Sequence, residues 1–466
     1  MASRGEDAVP ASSPFEGSTE PAPLARRTEP PAAPEWVELL DGGEQAYPRM
    51  LAAIARATRS VHLVTYAFSP SGVGARFVEA LAQAQRRRVA VHVTIDGWGS
   101  ALGGRAVAAA LRDAGCQVRI YNRLRALLVG RFGRDHRKLL LVDDEVAFLG
   151  GLNIGDENVR DGGRLGWADL SLEIRGPQSA RLGQMLRREP RRPIESALQI
   201  HLSGIGGGWR LRRLYFHAFT SARERIHVAH GYFLPDRGVI RALTAAARRG
   251  VRVRLLLAGR SDVPFARAAT RGLYRRLLAA GVAIHEWSDS VLHAKVASVD
   301  GRRLLVGSFN LDPFSLANRE TLVDVADARV VEQGEAWIQA HFEGSHPVTS
   351  VEAGSRLRRW LLDPVGFVVA RIAEAIGRKI ASRRLRVVRS GAGARELGLP
   401  THEEQDPPEH DGPHASPDRN IDRLPVPDRH FHRAQLGRVG LPGVGEPAIR
   451  QPQNAGHDQH DCRDPD

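Results

Sequence analysis

Along residues 46–97 the spacing of apolar positions changes from one stretch to the next. The segment AYPRMLAAIARAT places them at helical intervals, and SVHLVTYAF is then nearly continuous in large apolar residues, which predicts a strand covered on both faces. A Pro/Gly turn follows, then the helical stretch GARFVEALAQAQRRR and a second apolar strand, VAVHVTIDG. Residues 211–259 repeat that order as LRRLYFHAFTSARE, RIHVAHGYFLPDRG, VIRALTAAARRG and VRVRLLLAG. Both second helices end in arginines (Arg86, Arg87 and Arg88; Arg248 and Arg249), which the negative end of the helix dipole favours. The pattern predicts an α/β fold, a duplicated α-β-α sandwich with a first lobe over 37–195 and a second over 196–350.

Outside the repeat the periodicity stops. Residues 1–36 are rich in Pro, Ala, Ser and Glu, and residues 391–466 mix Pro, Asp, His and Arg; both read as disordered tails. Within 351–390, Phe367, Val368, Ile372, Ile376 and Ile380 fall at helical spacing among Arg371, Arg378, Lys379, Arg383 and Arg384, the pattern of a basic helix lying on a membrane surface or of a helix packed on the second lobe. YNRLRALLVGRFGRDH, residues 121–136, mixes apolar residues with arginine and suits a lip that touches a bilayer. No apolar run is long enough to span one, and no signal-peptide core is present. The net charge of +13 favours phosphate-bearing partners, and two distant cysteines define neither a disulfide framework nor a metal site.

Lysine occurs only at Lys138, Lys295 and Lys379, and two of the three stand two places after a histidine. Each lobe ends in the same signature. HRKLLLVDDEVAFLGGLN carries His136, Lys138, Asp143, Gly151 and Asn153; HAKVASVDGRRLLVGSFN carries His293, Lys295, Asp300, Ser308 and Asn310, each exactly matched member displaced by 157 positions. In a strand, residues i and i+2 share a face, so each histidine lies beside its lysine. An Asp-Asp or Asp-Gly hairpin then returns small residues and an asparagine to the pair. Lysine charge, an amide donor and close-approaching backbone at Gly151 and Ser308 together make a phosphate site that holds an imidazole. His-x-Lys is not a metal-ligand spacing, so no metal is expected. His227 and His230, three apart on a strand, read as structural or pocket-lining.

The paired H-x-K-x4-D-x6-G-[GS]-x-N motifs resemble the phospholipase D superfamily, and over residues 37–345 the chain looks closest to bacterial cardiolipin synthases of type B. The resemblance implies phospholipase D-like lobes with one shared active site and a transfer through a phosphohistidine, with no cofactor. It implies His136 as nucleophile and His293 as acid and base. Lys138, Lys295, Asn153 and Asn310 would hold the phosphate. An acid downstream of each motif would orient that motif's histidine: Asp169 for the first and Glu320 for the second. Asp143 and Asp300 complete the catalytic signature, although a turn position suits a structural role. The implied substrate is phosphatidylglycerol, with a peripheral place on the cytoplasmic side of the cell membrane, no nucleic acid, and a monomer that is an internal pseudo-dimer. Hydrolysis to phosphatidic acid and nucleic-acid phosphodiester cleavage are the alternatives. Phe314 stands where related synthases often carry arginine, and Asp135 precedes the first histidine.

Overall fold

A computed structural model describes residues 35–122, 133–160, 165–189, 194 and 196–349. Residues 1–34 and 391–466 of the predicted tails, the segment 351–390 and residues 123–132 of the predicted lip lie outside the described residues, and Trp36, the last residue of the stretch read as an N-terminal tail, opens the first strand. The first lobe contains β1 (Trp36–Asp41), β2 (Ser60–Thr65), β3 (Ala90–Asp96), β4 (Gln117–Tyr121), β5 (Leu139–Val142), β6 (Val146–Gly150) and β7 (Leu170–Arg175). Its strand order is β1-β7-β6-β5-β2-β3-β4. The second contains β8 (Leu198–Leu202), β9 (Arg225–His230), β10 (Arg252–Ala258), β11 (Ala283–Trp287), β12 (Lys295–Val299), β13 (Arg303–Gly307), β14 (Thr321–Val325) and β15 (His346–Pro347). Its order is β15-β11-β10-β9-β12-β13-β14-β8, so the duplicated α/β sandwich read from the sequence is the observed fold.

The helices are α1 (Gly42–Arg56), α2 (Val73–Arg86), α3 (Gly104–Asp113), α4 (Pro177–Arg187), α5 (Gly208–Ser221), α6 (Arg237–Arg248), α7 (Pro264–Arg271), α8 (Tyr274–Leu278) and α9 (Ala328–Glu343). One apolar face of α1, α2 and α3 packs on the outer side of the first sheet through Ile54, Phe77, Leu81 and Leu111. Tyr215, Phe219, Leu243 and Leu277 cover the second sheet in the same way. The inner faces are covered by each other. Leu141, Leu149 and Leu172 share one core with Val296, Val306 and Val323, joined by Leu182 of α4 and Ile338 of α9. Both faces of the central strands β5, β7 and β12 are therefore dry, and those strands are buried along almost their whole length.

Each signature strand turns back through a tight hairpin. Asp143 and Asp144 adopt φ of +55° and +58°, and Asp300 and Gly301 +55° and +64°, the left-handed pair that a two-residue turn requires. Asp143 accepts hydrogen bonds from the Thr58, Arg59 and Ser60 amides at 2.7–2.8 Å, and Asp300 from those of Arg223, Glu224 and Arg225 at 2.8–3.0 Å. Placing Asp143 and Asp300 in the catalytic set is thereby corrected. Five residue steps along the strand, roughly 16 Å, separate each from its lysine, and each instead closes a loop on the far side of its lobe.

Candidate active site

The two lobes exchange backbone at one place, and that exchange builds the site. The His136 amide donates to Arg319 O at 2.9 Å and the Arg319 amide to Arg134 O at 2.8 Å. In the pseudo-symmetric position, the His293 amide donates to Ala168 O at 2.9 Å and the Ala168 amide to Val291 O at 2.9 Å. Each histidine is thus stitched to the residue that precedes the other lobe's acid. His136 Nδ1 lies 3.0 Å from Glu320 Oε2, and His293 Nδ1 lies 2.6 Å from Asp169 Oδ2. The sequence expectation had each acid serving its own motif; the structure crosses them. The cause is the interlobe bridge, which no spacing within one repeat reveals.

All four groups are buried, and among the described residues neither histidine's Nε2 has a hydrogen-bond partner. A Nδ1–H held by a carboxylate leaves Nε2 with its lone pair directed at whatever occupies the site. Lys138 Nζ donates to the His136 carbonyl at 2.9 Å, Lys295 Nζ donates to the His293 carbonyl, and Lys295 Nζ lies 3.9 Å from Asp169 Oδ2. Asn153 accepts from the Ala67 amide at 3.3 Å through Oδ1, whereas Asn310 Oδ1 is buried without a partner among the described residues.

Gly151 and Ser308 serve the acids, not an incoming anion. Their amides donate to Leu170 O and Thr321 O at 3.0 Å, inside the sheets. A Cβ on Gly151 would stand 2.1 Å from Asp169 Oδ1. The Ser308 hydroxyl donates to Glu320 Oε2 at 2.5 Å. The expectation of phosphate-binding backbone at these two positions is corrected accordingly: the small residues make room for, or grip, the carboxylates.

Several neighbours were not singled out by spacing. Tyr66 sits edge-on to His136 at 4.8 Å between ring centres, and its hydroxyl accepts from Arg134 at 3.1 Å. Tyr232 sits edge-on to His293 at 5.9 Å, and its hydroxyl donates to Asp262 at 2.6 Å. Trp167 stands 5.3 Å from His293. An aromatic residue just beyond the end of β2 and of β9 is the signal that both sequence repeats carried. Asp135 is fully buried and forked by Arg137 at 2.6–2.7 Å, with Arg319 at 3.5 Å, so its charge is matched before it reaches His136. His230 is buried in the ladder opposite Lys295, and His227 faces Glu335 at 3.6 Å.

Burial dominates the electrostatics. With Lys138 and Lys295 adding to it, burial holds His136 well below the ordinary imidazole range. His293 is lowered by burial and by Lys295, with Asp169 opposing. Burial and the neighbouring Lys295 push Lys138 down to about 7, and burial pushes Glu320 up to about 7 against the pull of Lys138. Two lysines and two carboxylates thus share one enclosed space, where each shifts the others' protonation. Among the described residues no group of three or more His, Cys, Asp or Glu side chains is arranged to hold a metal ion, and no helix is long and apolar enough to cross a membrane.

Residues 50–165 and 215–342 match the family model described as cardiolipin synthase, PLD-like domain. The chain is 34% identical to cardiolipin synthase B of Salmonella typhi over 304 residues, covering 60% of this chain and 74% of that protein. It is 33% identical to cardiolipin synthase B of Escherichia coli strain K12 over 322 residues, covering 62% and 76%. A solved phosphatidylserine synthase of Haemophilus influenzae Rd KW20 superposes with a TM-score of 0.58 at 15% identity, covering 74% of this chain and 94% of that one, a likeness of fold. With its twin motifs folded into two lobes around one shared pocket, the chain belongs to the cardiolipin synthase, phospholipase D-like family.

Proposed function

We propose that this chain is a phosphatidyltransferase that joins two phosphatidylglycerol molecules and releases glycerol. The observation that carries the reading is the crossed pair of histidine–carboxylate contacts, with neither Nε2 atom partnered among the described residues and two lysines beside them. His136, held neutral by burial and the two lysines beside it, attacks phosphorus through Nε2. His293 enters the step as its imidazolium, which Asp169 at 2.6 Å favours against burial, and its Nε2–H protonates the departing glycerol oxygen as the P–O bond breaks. The phosphatidyl group is then on His136. The hydroxyl of a second phosphatidylglycerol gives its proton to His293 and attacks the phosphohistidine, which restores His136 and forms cardiolipin.

Lys138, Lys295, Asn153 and Asn310 would hold the phosphoryl oxygens as charge builds on them. Cardiolipin synthases among the relatives support the lipid reading, and a peripheral place at a membrane surface follows from such a substrate. The test is lipid mass spectrometry after incubating purified protein with phosphatidylglycerol vesicles. Cardiolipin and glycerol are expected from the wild type and neither from His136→Ala or His293→Ala. Phosphatidic acid without cardiolipin would reassign the chain to hydrolysis.

A further inference from the structure

Seven large apolar side chains are well exposed among the described residues: Trp36, Trp98, Leu102, Leu165, Val263, Phe265 and Phe314, at 39–105% of full exposure. Strand register shows where they lie. In the first lobe Thr65 pairs with Ile95, Val64 with Leu139, Leu139 with Leu149, and Gly150 with Ser171, so the ends of β2, β3 and β6 and the starts of β5 and β7 share one edge. In the second, Leu257 and Lys295 both pair with His230, and Gly307 with Leu322, which gathers the matching ends. These are the ends that carry the two histidines. Six of the seven residues lie on loops, or on the first turn of α7, that leave those ends. Trp36 is the exception, at the opposite end beside Arg175.

Contacts tie the loops to the site itself. The Arg134 guanidinium lies 4.7 Å from the Trp98 ring centre while its Nη1 donates to the Tyr66 hydroxyl at 3.1 Å. Val263 follows Asp262, whose carboxylate takes the Tyr232 hydroxyl. Leu165 is two residues before Trp167, against His293. Phe314 precedes Ser315, whose hydroxyl accepts from the Asn310 amide at 3.2 Å. At the opposite end stand exposed Arg87, Arg88, Arg248, Arg249 and Arg302. A polar far end and an apolar rim around a buried phosphate-type pocket are the two poles of a molecule that sits on an interface. Exposed Arg105 and Arg260 beside the rim supply cations for anionic headgroups.

We propose that the end of the molecule onto which the two histidines open is a membrane-docking face, and that Trp98, Leu102, Leu165, Val263, Phe265 and Phe314 enter the interface of an anionic phospholipid bilayer. Docking there brings a headgroup to the pocket without lifting the lipid into water, since the apolar rim stays among the acyl chains. The inference rests on the lipid-substrate reading and adds which surface meets the lipid.

The test measures binding of the full chain to vesicles of phosphatidylglycerol and phosphatidylcholine in equal parts, in a His136→Ala background so that no turnover intrudes. The combined Leu102→Ser, Phe265→Ser, Phe314→Ser protein is expected to bind at least tenfold more weakly, and Trp36→Ser as well as the parent. Each single substitution, expected to weaken binding two- to fivefold, serves if the combined protein does not fold. Equal binding by parent and combined variant, or equal weakening by Trp36→Ser, would overturn the proposal. So would size-exclusion chromatography showing that the substitutions split an oligomer while vesicle binding is unchanged, which would make the rim a contact between copies. Rim-dependent binding in a protein that makes no cardiolipin would count against the chemistry and leave the docking face standing.

Discussion

Replacing Lys138 with methionine separates what the pocket does for catalysis from what it does to stability. The ammonium is enclosed, donates to the His136 carbonyl at 2.9 Å and lies 5.0 Å from the Tyr66 ring centre. Burial and Lys295 bring its pKa from 10.5 to about 7. Below pH 7 both folded and unfolded chains hold the proton and the folded state bears the whole penalty. Between pH 7 and 10.5 the unfolded chain holds a proton that the folded chain has released, so stability climbs with pH across that window. The shift is worth about 5 kcal/mol, of which about 4 kcal/mol still applies at pH 7. Methionine has a similar length and no charge. It removes that penalty but leaves the His136 carbonyl unpaired, a loss of about 1–3 kcal/mol. Glu320, at about 7, can take up a proton once the cation is gone, so no bare charge remains. The expected net gain at pH 7 is roughly 1–3 kcal/mol, on the order of 2–6 °C in Tm by circular dichroism. Turnover should fall by at least about a hundredfold. A variant that melts below the wild type at pH 7 would refute the reasoning, because the lysine would then be stabilising the fold it occupies.

Asp143→Ala should lose about 2–4 kcal/mol of stability, since it strips acceptors from three consecutive amides, while the specific activity of the folded protein stays within about twofold. Gly151→Ala pushes a methyl into the Asp169 carboxylate and should lower kcat by about a hundredfold with a smaller effect on Tm. Ser308→Ala removes a hydrogen bond that lowers the Glu320 pKa, so the acidic limb of the pH–rate profile should move to higher pH; a shift to lower pH would contradict the assignment. Lys295→Arg keeps the charge but must fit a planar fork into a side-chain space with no exposure, and a large loss of turnover with an intact circular dichroism spectrum is expected.

The duplicated fold was legible because its central strands are mostly apolar and its helices are amphipathic, and both facts survive in any reading of periodicity. The turn at Asp143 and Asp144 was legible for the same local reason. What spacing could not show was long-range. The offset of 157 between motifs says that two histidines are equivalent, yet not that Glu320 crosses to His136 and Asp169 to His293. That exchange depends on backbone pairing between the lobes at Arg319 and Ala168. Gly151 and Ser308 looked like places for an anion because small residues admit any close neighbour; the neighbour is a carboxylate. Tyr66 and Tyr232 were present in both repeats but matched no polar pattern, since a ring that walls a histidine is recognised only by where it stands.

Transfer through His136 is tested most directly by trapping the intermediate. Protein carrying Asp169→Asn, which slows the proton transfers of His293, is mixed with phosphatidylglycerol, quenched in base to preserve a phosphorus–nitrogen bond, digested and mapped by mass spectrometry. A phosphatidyl group on the peptide that contains His136, absent in His136→Ala, is the expected result. Modification on the His293 peptide, or cardiolipin formed at the wild-type rate by His136→Ala, would contradict it.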